Sequence, residues 1–223
     1  MNIKYIILFI SLSTTLYAEK KDAKMKIITY KVQEELKPTD LDGISDDQIN
    51  DHWKLYIGYV KQSNKLNEDL KNLKEKDENN SLIFADRRRR YGFEYDGMVL
   101  HEYYFGNLKA GQSLSEESEL KKAIENQWGS FENWSNDFLN TGKTRSIGWA
   151  ILYLDPKTGN LTNHFIQEHS NGIIAGFIPL LVMDVWEHAY MVDHKASGRS
   201  DYINAFMKNI NWPIVEERLS KKK

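Results

Sequence analysis

The stretch Ile178-Pro179-Leu180-Leu181-Val182-Met183 constrains the fold more than any other, because an unbroken apolar run leaves no face for solvent. It is too short for an ordinary buried helix and reads as a strand covered on both sides. A carboxylate, Asp184, stands where this strand ends, and His188 follows four residues later in Asp184-Val185-Trp186-Glu187-His188-Ala189-Tyr190. Acid and imidazole at that spacing suit a first-row metal such as Fe, Mn or Zn. An Asp at a strand end also serves as a cap or turn, and a nearby His as a surface or core residue. The rest of the chain has to supply more donors.

Upstream, Ser45-Asp46-Asp47-Gln48 has the pattern of a helix start, with Ser as N-cap and Gln at the capping-box position. Ile49, His52, Trp53, Tyr56, Tyr59 and Val60 then follow the helical period, which puts His52 on the apolar face. A second helix fits residues 92–108 and carries His101 on an aromatic face with Tyr104 and Phe105. A histidine on such a face can be a satisfied core residue or a ligand, and periodicity leaves both open. Between the helices lie a charged loop and Arg87-Arg88-Arg89-Arg90, which reads as a solvated face with a minor steering effect on anionic substrates.

Past residue 108 the character changes. Two short helices, one opening at Ser115 and one over residues 131–139, precede three strand patterns, 149–154, 161–166 and 178–183. The first two flank the turn-rich Asp155-Pro156-Lys157-Thr158-Gly159-Asn160. A last helix runs from Arg199 and closes at Asn211-Trp212-Pro213. The expected fold is α+β: an N-terminal helical hairpin domain (19–108), then a C-terminal domain (109–223) with a three-stranded antiparallel sheet surrounded by helices.

Residues 1–18 read as a signal peptide, with Lys4, the apolar Tyr5–Ile10 and small Ala18 before a charged stretch. The apolar run is well short of the roughly 20 residues a bilayer span needs. The expectation is export, periplasmic or secreted, with no stable membrane association after cleavage. Losing Lys4 with that segment moves the net charge from −2 to −3, which does not suit a nucleic-acid binder. The absence of cysteine excludes disulfides, cysteine-zinc sites and iron–sulfur clusters, so any metal must be held by His, Asp or Glu.

Asp184-Val185-Trp186-Glu187-His188-Ala189-Tyr190 resembles the signature of the iron/manganese superoxide dismutases. The likeness continues through Gly129-Ser130-Phe131, Gly148-Trp149-Ala150, Asp201-Tyr202-Ile203, Asn211-Trp212, and His101 with Tyr104-Phe105, over roughly residues 25–220. The resemblance implies His52, His101, Asp184 and His188 as ligands of one Fe or Mn per chain, with superoxide as substrate. It implies Tyr59 as the tyrosine at the substrate funnel, Trp149 and Trp186 as walls, and Arg199 near the funnel mouth. Glu187 matches a residue that reaches a partner subunit in a homodimer, and Tyr190 belongs to the same contact.

The chain departs from that pattern in places. His52 and Tyr59 are seven residues apart instead of eight, which would put Asp51 in the ligand slot; the approach from Ile44-Ser45 favours His52, with a helix bulge lost. Tyr56 stands where the family usually has a funnel histidine, and Met191 where many have tyrosine. The position of the iron-type second-sphere glutamine is Gly97. The donor then comes from the sheet, as His169, fifteen residues before Asp184, or as Gln167. The rival readings are a non-catalytic superoxide dismutase-like metal-binding or structural protein, and a zinc hydrolase, which lacks a His-Glu-x-x-His motif.

Overall fold

The computed structural model describes residues 27–221, so the expected signal peptide at 1–18 lies outside the described residues. Helix α1, Asp46–Glu75, begins where Ser45 accepts a hydrogen bond from the Gln48 amide through its Oγ, and it runs as α-helix to its end. Gln48 does not close a capping box. Its side-chain amide reaches across the molecule, donating to His188 O at 2.7 Å and accepting from Val192 N at 2.9 Å.

Helix α2, Leu82–Gly106, packs against α1 as the expected hairpin, but it begins at Leu82 instead of 92. Ser81 caps it through Phe84 N, and the arginine run, a good helix former, is absorbed into its first turns. Helices α3, Glu119–Trp128, and α4, Phe131–Gly142, follow with caps at Ser118 and Ser130. Then come β1, Gly148–Leu154, β2, Leu161–Gln167, and β3, Ile178–Asp184, all antiparallel in the order β2-β1-β3. Central β1 is buried along its whole length.

The edge position of β3 explains how Pro179, which has no N–H, is tolerated. The register slips there, between Leu152 and Tyr153 of β1. Because the slip lies at the far end, Trp149 still faces Asp184 at the other. After a short turn at Glu187–Ala189 the chain forms α5, Met191–His194, α6, Arg199–Lys208, and α7, Trp212–Ser220. The expected stop at Pro213 is instead the first turn of α7, where a missing N–H costs nothing.

The core lies between sheet, hairpin and α6. Trp134, Trp149, Tyr104, Tyr202 and Phe206 are fully buried, each contributing on the order of 2 kcal/mol or more of apolar burial. Among the described residues, no helix is long and apolar enough to cross a membrane.

Candidate metal centre

The hairpin and the end of the sheet converge on four side chains. α1 presents His52, α2 presents His101, β3 ends in Asp184, and the turn after it carries His188; their donor atoms all lie within 4.8 Å of one another. Asp184 Oδ2 is 3.1 Å from both His52 Nε2 and His188 Nε2, and 3.8 Å from His101 Nε2. Two donors bonded at about 2.1 Å to a common ion, at right angles, stand about 3 Å apart. The His101 ring is fixed by its Nδ1–H donating to Gly97 O at 2.6 Å, which leaves Nε2 as a bare lone pair.

That lone pair is the test of fit. His101 Nε2 is buried without a partner, as are His52 Nδ1 and Trp186 Nε1 close by. Leaving buried polar atoms unsatisfied costs on the order of 1–3 kcal/mol each, so a ligand is the natural partner for the inward-facing nitrogen. Burial pushes the His52 and His101 imidazoles down, below their ordinary range, which favours the neutral, metal-binding form. Burial pushes Asp184 up, but the His188 and His52 imidazoles beside it outweigh burial and hold the carboxyl far below the usual range. Three nitrogens and one carboxylate make a donor set that fits Fe or Mn.

Second contacts hold these donors in place. Asp184 Oδ1 accepts from Trp186 N at 2.8 Å, and Tyr202 donates its hydroxyl to the Asp184 carbonyl at 2.7 Å. Gln48 ties down the His188 carbonyl from α1. Neither Gln48 nor Tyr202 stands out in the sequence as a support, because each acts on a residue more than fifteen positions away; Gln48 reads locally as a cap.

Tyr59 and His169 form a pair beside the cluster. The Tyr59 hydroxyl oxygen is 2.6 Å from His169 Nε2, and Trp149 Nε1–H donates to His169 Nδ1 at 3.1 Å. Indole is a donor only, so Nδ1 must accept and the ring hydrogen sits on Nε2, facing the Tyr59 oxygen. The Tyr59 O–H is thereby left to point elsewhere. Burial pushes His169 down to about 4 despite the attraction of Asp184, and pushes Tyr59 up. His169 stacks on Trp186 with ring centres 4.9 Å apart, and Trp149 packs edge-on to His101. Gly97 makes the arrangement possible: a Cβ there would come within 2.8 Å of the Tyr59 ring.

Other expected residues lie away from the cluster. Tyr56 turns its buried hydroxyl to Gln33 N and Glu102, 3.0 and 2.9 Å away. In a helix of unbroken α geometry, seven residues fall about 20° short of two turns, whereas four overshoot one turn by about 40°. Tyr59 therefore shares the direction of His52 more closely than Tyr56 does. Gln167 is exposed at the end of β2, its backbone paired with Asn171, so it does not reach the site. Asp51 is on the surface beside Lys54. Arg199 gives its guanidinium to Gly142 O and Ser146 O. Glu187 is exposed, while Tyr190 is buried and stacked on Tyr202.

Residues 116–218 match the family description "iron/manganese superoxide dismutases, C-terminal domain". A superoxide dismutase (Fe) of Aquifex aeolicus is 39% identical over 199 residues, which cover 86% of this chain and 92% of its own. One of Cupriavidus metallidurans, also named for Fe, is 35% identical over 188 residues, 82% and 92% of the two chains. A superoxide dismutase (Mn/Fe) of Aeropyrum pernix is 33% identical over 177 residues, 75% and 78%. This chain belongs to the iron/manganese superoxide dismutase family. The matches extend well upstream of residue 116, so the hairpin that carries His52 and His101 is shared as well as the sheet.

Proposed function

We propose that the chain is an exported homodimeric superoxide dismutase that holds one Fe or Mn through His52, His101, Asp184 and His188. The observation that carries this reading is the convergence of those four donors around the buried, unpartnered His101 Nε2. An Fe or Mn held by these four donors would supply the one-electron redox chemistry by which one superoxide is oxidised and a second is reduced. Two superoxides and two protons thus yield one O2 and one H2O2.

The residues of the chain set the conditions for that exchange. Three neutral imidazoles and one carboxylate leave a divalent or trivalent ion with residual positive charge, which attracts an anion. Trp149, Trp186 and the fully buried His169 keep bulk water from the donors. The Tyr59 oxygen accepts from His169 Nε2–H, so its own hydrogen is free to be donated to an incoming anion. His169 and Trp149 hold Tyr59 in that orientation.

Export rests on the character of residues 1–18, and the division into 19–108 and 109–223 belongs to the same reading. The homodimer is supported by exposed Glu187 on the turn carrying His188, next to exposed Met191 and Val192, which are 43% and 39% accessible. Tyr190, inside its own chain, contributes by supporting that turn. No observation favours the non-catalytic alternative. Asp184→Ala and His52→Ala test the ligand set: each variant should emerge from purification without Fe or Mn and without dismutation. Unaltered metal content in both would overturn it.

A further inference from the structure

Next to Phe93, which packs near Tyr59, α2 carries an ion pair that stability does not explain. The Glu94 side chain is only 7% exposed, whereas that of its partner Arg90 is 52% exposed. Arg90 Nε donates to Glu94 Oε1 at 2.7 Å, and Nη2 lies 2.5 Å from the same oxygen. Helix-surface pairs of this spacing contribute a few tenths of a kcal/mol, while taking a carboxylate out of water costs more than that. The pair does fix an orientation. The Arg90 guanidinium lies 4.3 Å over the Phe93 ring, and Phe93 is 4.6 Å from the His169 ring and 6.4 Å from that of Tyr59.

Arg90 is therefore one aromatic ring removed from the Tyr59–His169 pair, with its charge turned outward and the compensating carboxylate turned inward. A cavity of about 450 Å3 opens there between α1 and α2, lined by Gln62, Lys65, Asp69, Arg87, Arg90 and Glu94. Arg199, the arginine that the family pattern puts near the funnel, has its guanidinium engaged with two backbone carbonyls. We propose that Arg90 collects superoxide at this cavity, one aromatic ring removed from Tyr59, with Glu94 and Phe93 as the positioning residues that hold its guanidinium there. This rests on the dismutase reading of the metal centre and adds the residue that governs how fast substrate arrives.

The test uses full-length, metal-loaded protein. Rate constants for dismutation are measured at about 10 mM and about 200 mM salt, where the screening length falls from about 30 Å to below 8 Å. Arg90→Gln should lose about three- to tenfold at low salt and approach the wild-type rate at high salt, as expected when steering is screened. Arg90→Lys should recover most of the loss, and Arg88→Gln, whose guanidinium sits over Phe84, should follow the wild-type curve. Azide affinity for the bound metal, read from its absorption band, should weaken in Arg90→Gln at low salt only. An Arg90→Gln rate with the wild-type salt slope, or a loss equal at both salts, overturns the proposal. If loaded wild-type protein does not turn over, the dismutase reading has failed; unchanged azide affinity in Arg90→Gln would then also dismiss Arg90 as an anion collector.

Discussion

Two buried polar clusters meet β3, one at Val182 and one at Asp184, and they are built on opposite terms. Around Asn107 and Asn209 every group has a partner. Asn107 Nδ2 donates to Val182 O at 2.6 Å, Asn107 Oδ1 takes an Arg218 N–H, and Asn107 O accepts from Asn211 N at 2.6 Å. Asn209 closes a similar set with Asp42 and Ala205, and its carbonyl accepts from Lys109 N at 2.7 Å. Arg218 is held over Tyr103 and bonded to Leu180 O, so α7 is clamped to α2 and β3 together. Around Asp184, by contrast, three buried nitrogens go without partners: His52 Nδ1, His101 Nε2 and Trp186 Nε1. The satisfied cluster joins elements; in the other, His101 Nε2 faces the remaining donors with no partner from the chain.

Mutation should separate the two. His101→Ala should abolish dismutation and metal retention, and in the unloaded protein it should also cost about 2–4 kcal/mol, because a fully buried ring is removed from against Trp149 and the Gly97 carbonyl loses its donor. Asn107→Ala should cost about 3 kcal/mol in loaded and unloaded protein alike, since it strands the Arg218 donor and the Val182 carbonyl. Urea unfolding of both variants with and without metal checks this. Metal retained by His101→Ala, or an Asn107→Ala cost that differs between loaded and unloaded protein, would break the contrast.

A second prediction concerns pH. His169 is held near 4 in the folded protein against an ordinary value of 6.5. Below 6.5 the unfolded chain binds a proton that the folded chain refuses, so stability is lost as pH falls from 6.5 towards 4. The loss from this one residue is about 3 kcal/mol in all. In unloaded His169→Gln that component should vanish, giving a flatter stability profile than wild type between those limits; parallel profiles would contradict the burial argument. The smallest effect belongs to Gln167→Ala. It should change stability by less than about 0.5 kcal/mol and leave the rate of dismutation alone. A large fall in rate would return Gln167 to the site.

What could be read from the sequence follows the range of the interaction that fixes each residue. Ser45 was legible as a cap because its partner, Gln48 N, is three residues away. The three strands and their turn were legible from apolar runs and the Asp155–Asn160 segment, whose ends meet through Asp155 N and Asn160 O. The role of the Gln48 side chain was not, since its partners His188 and Val192 lie on the far side of the fold. Helix α7 was missed because proline reads as a stop, and only its capture by Arg218 shows why the chain continues. The donor set depended on resemblance as much as on pattern. Periodicity puts His52, Tyr56 and Tyr59 on one side of α1, and it takes the packed hairpin to show that Tyr56 turns to Glu102 while Tyr59 turns to His169.

The most direct test of the central claim is to measure metal content and superoxide dismutation on one preparation of the full-length protein. The account predicts close to one Fe or Mn per chain, with activity rising in proportion to occupancy and lost on chelation. A preparation that binds neither metal, or binds one and does not dismutate superoxide, would contradict it.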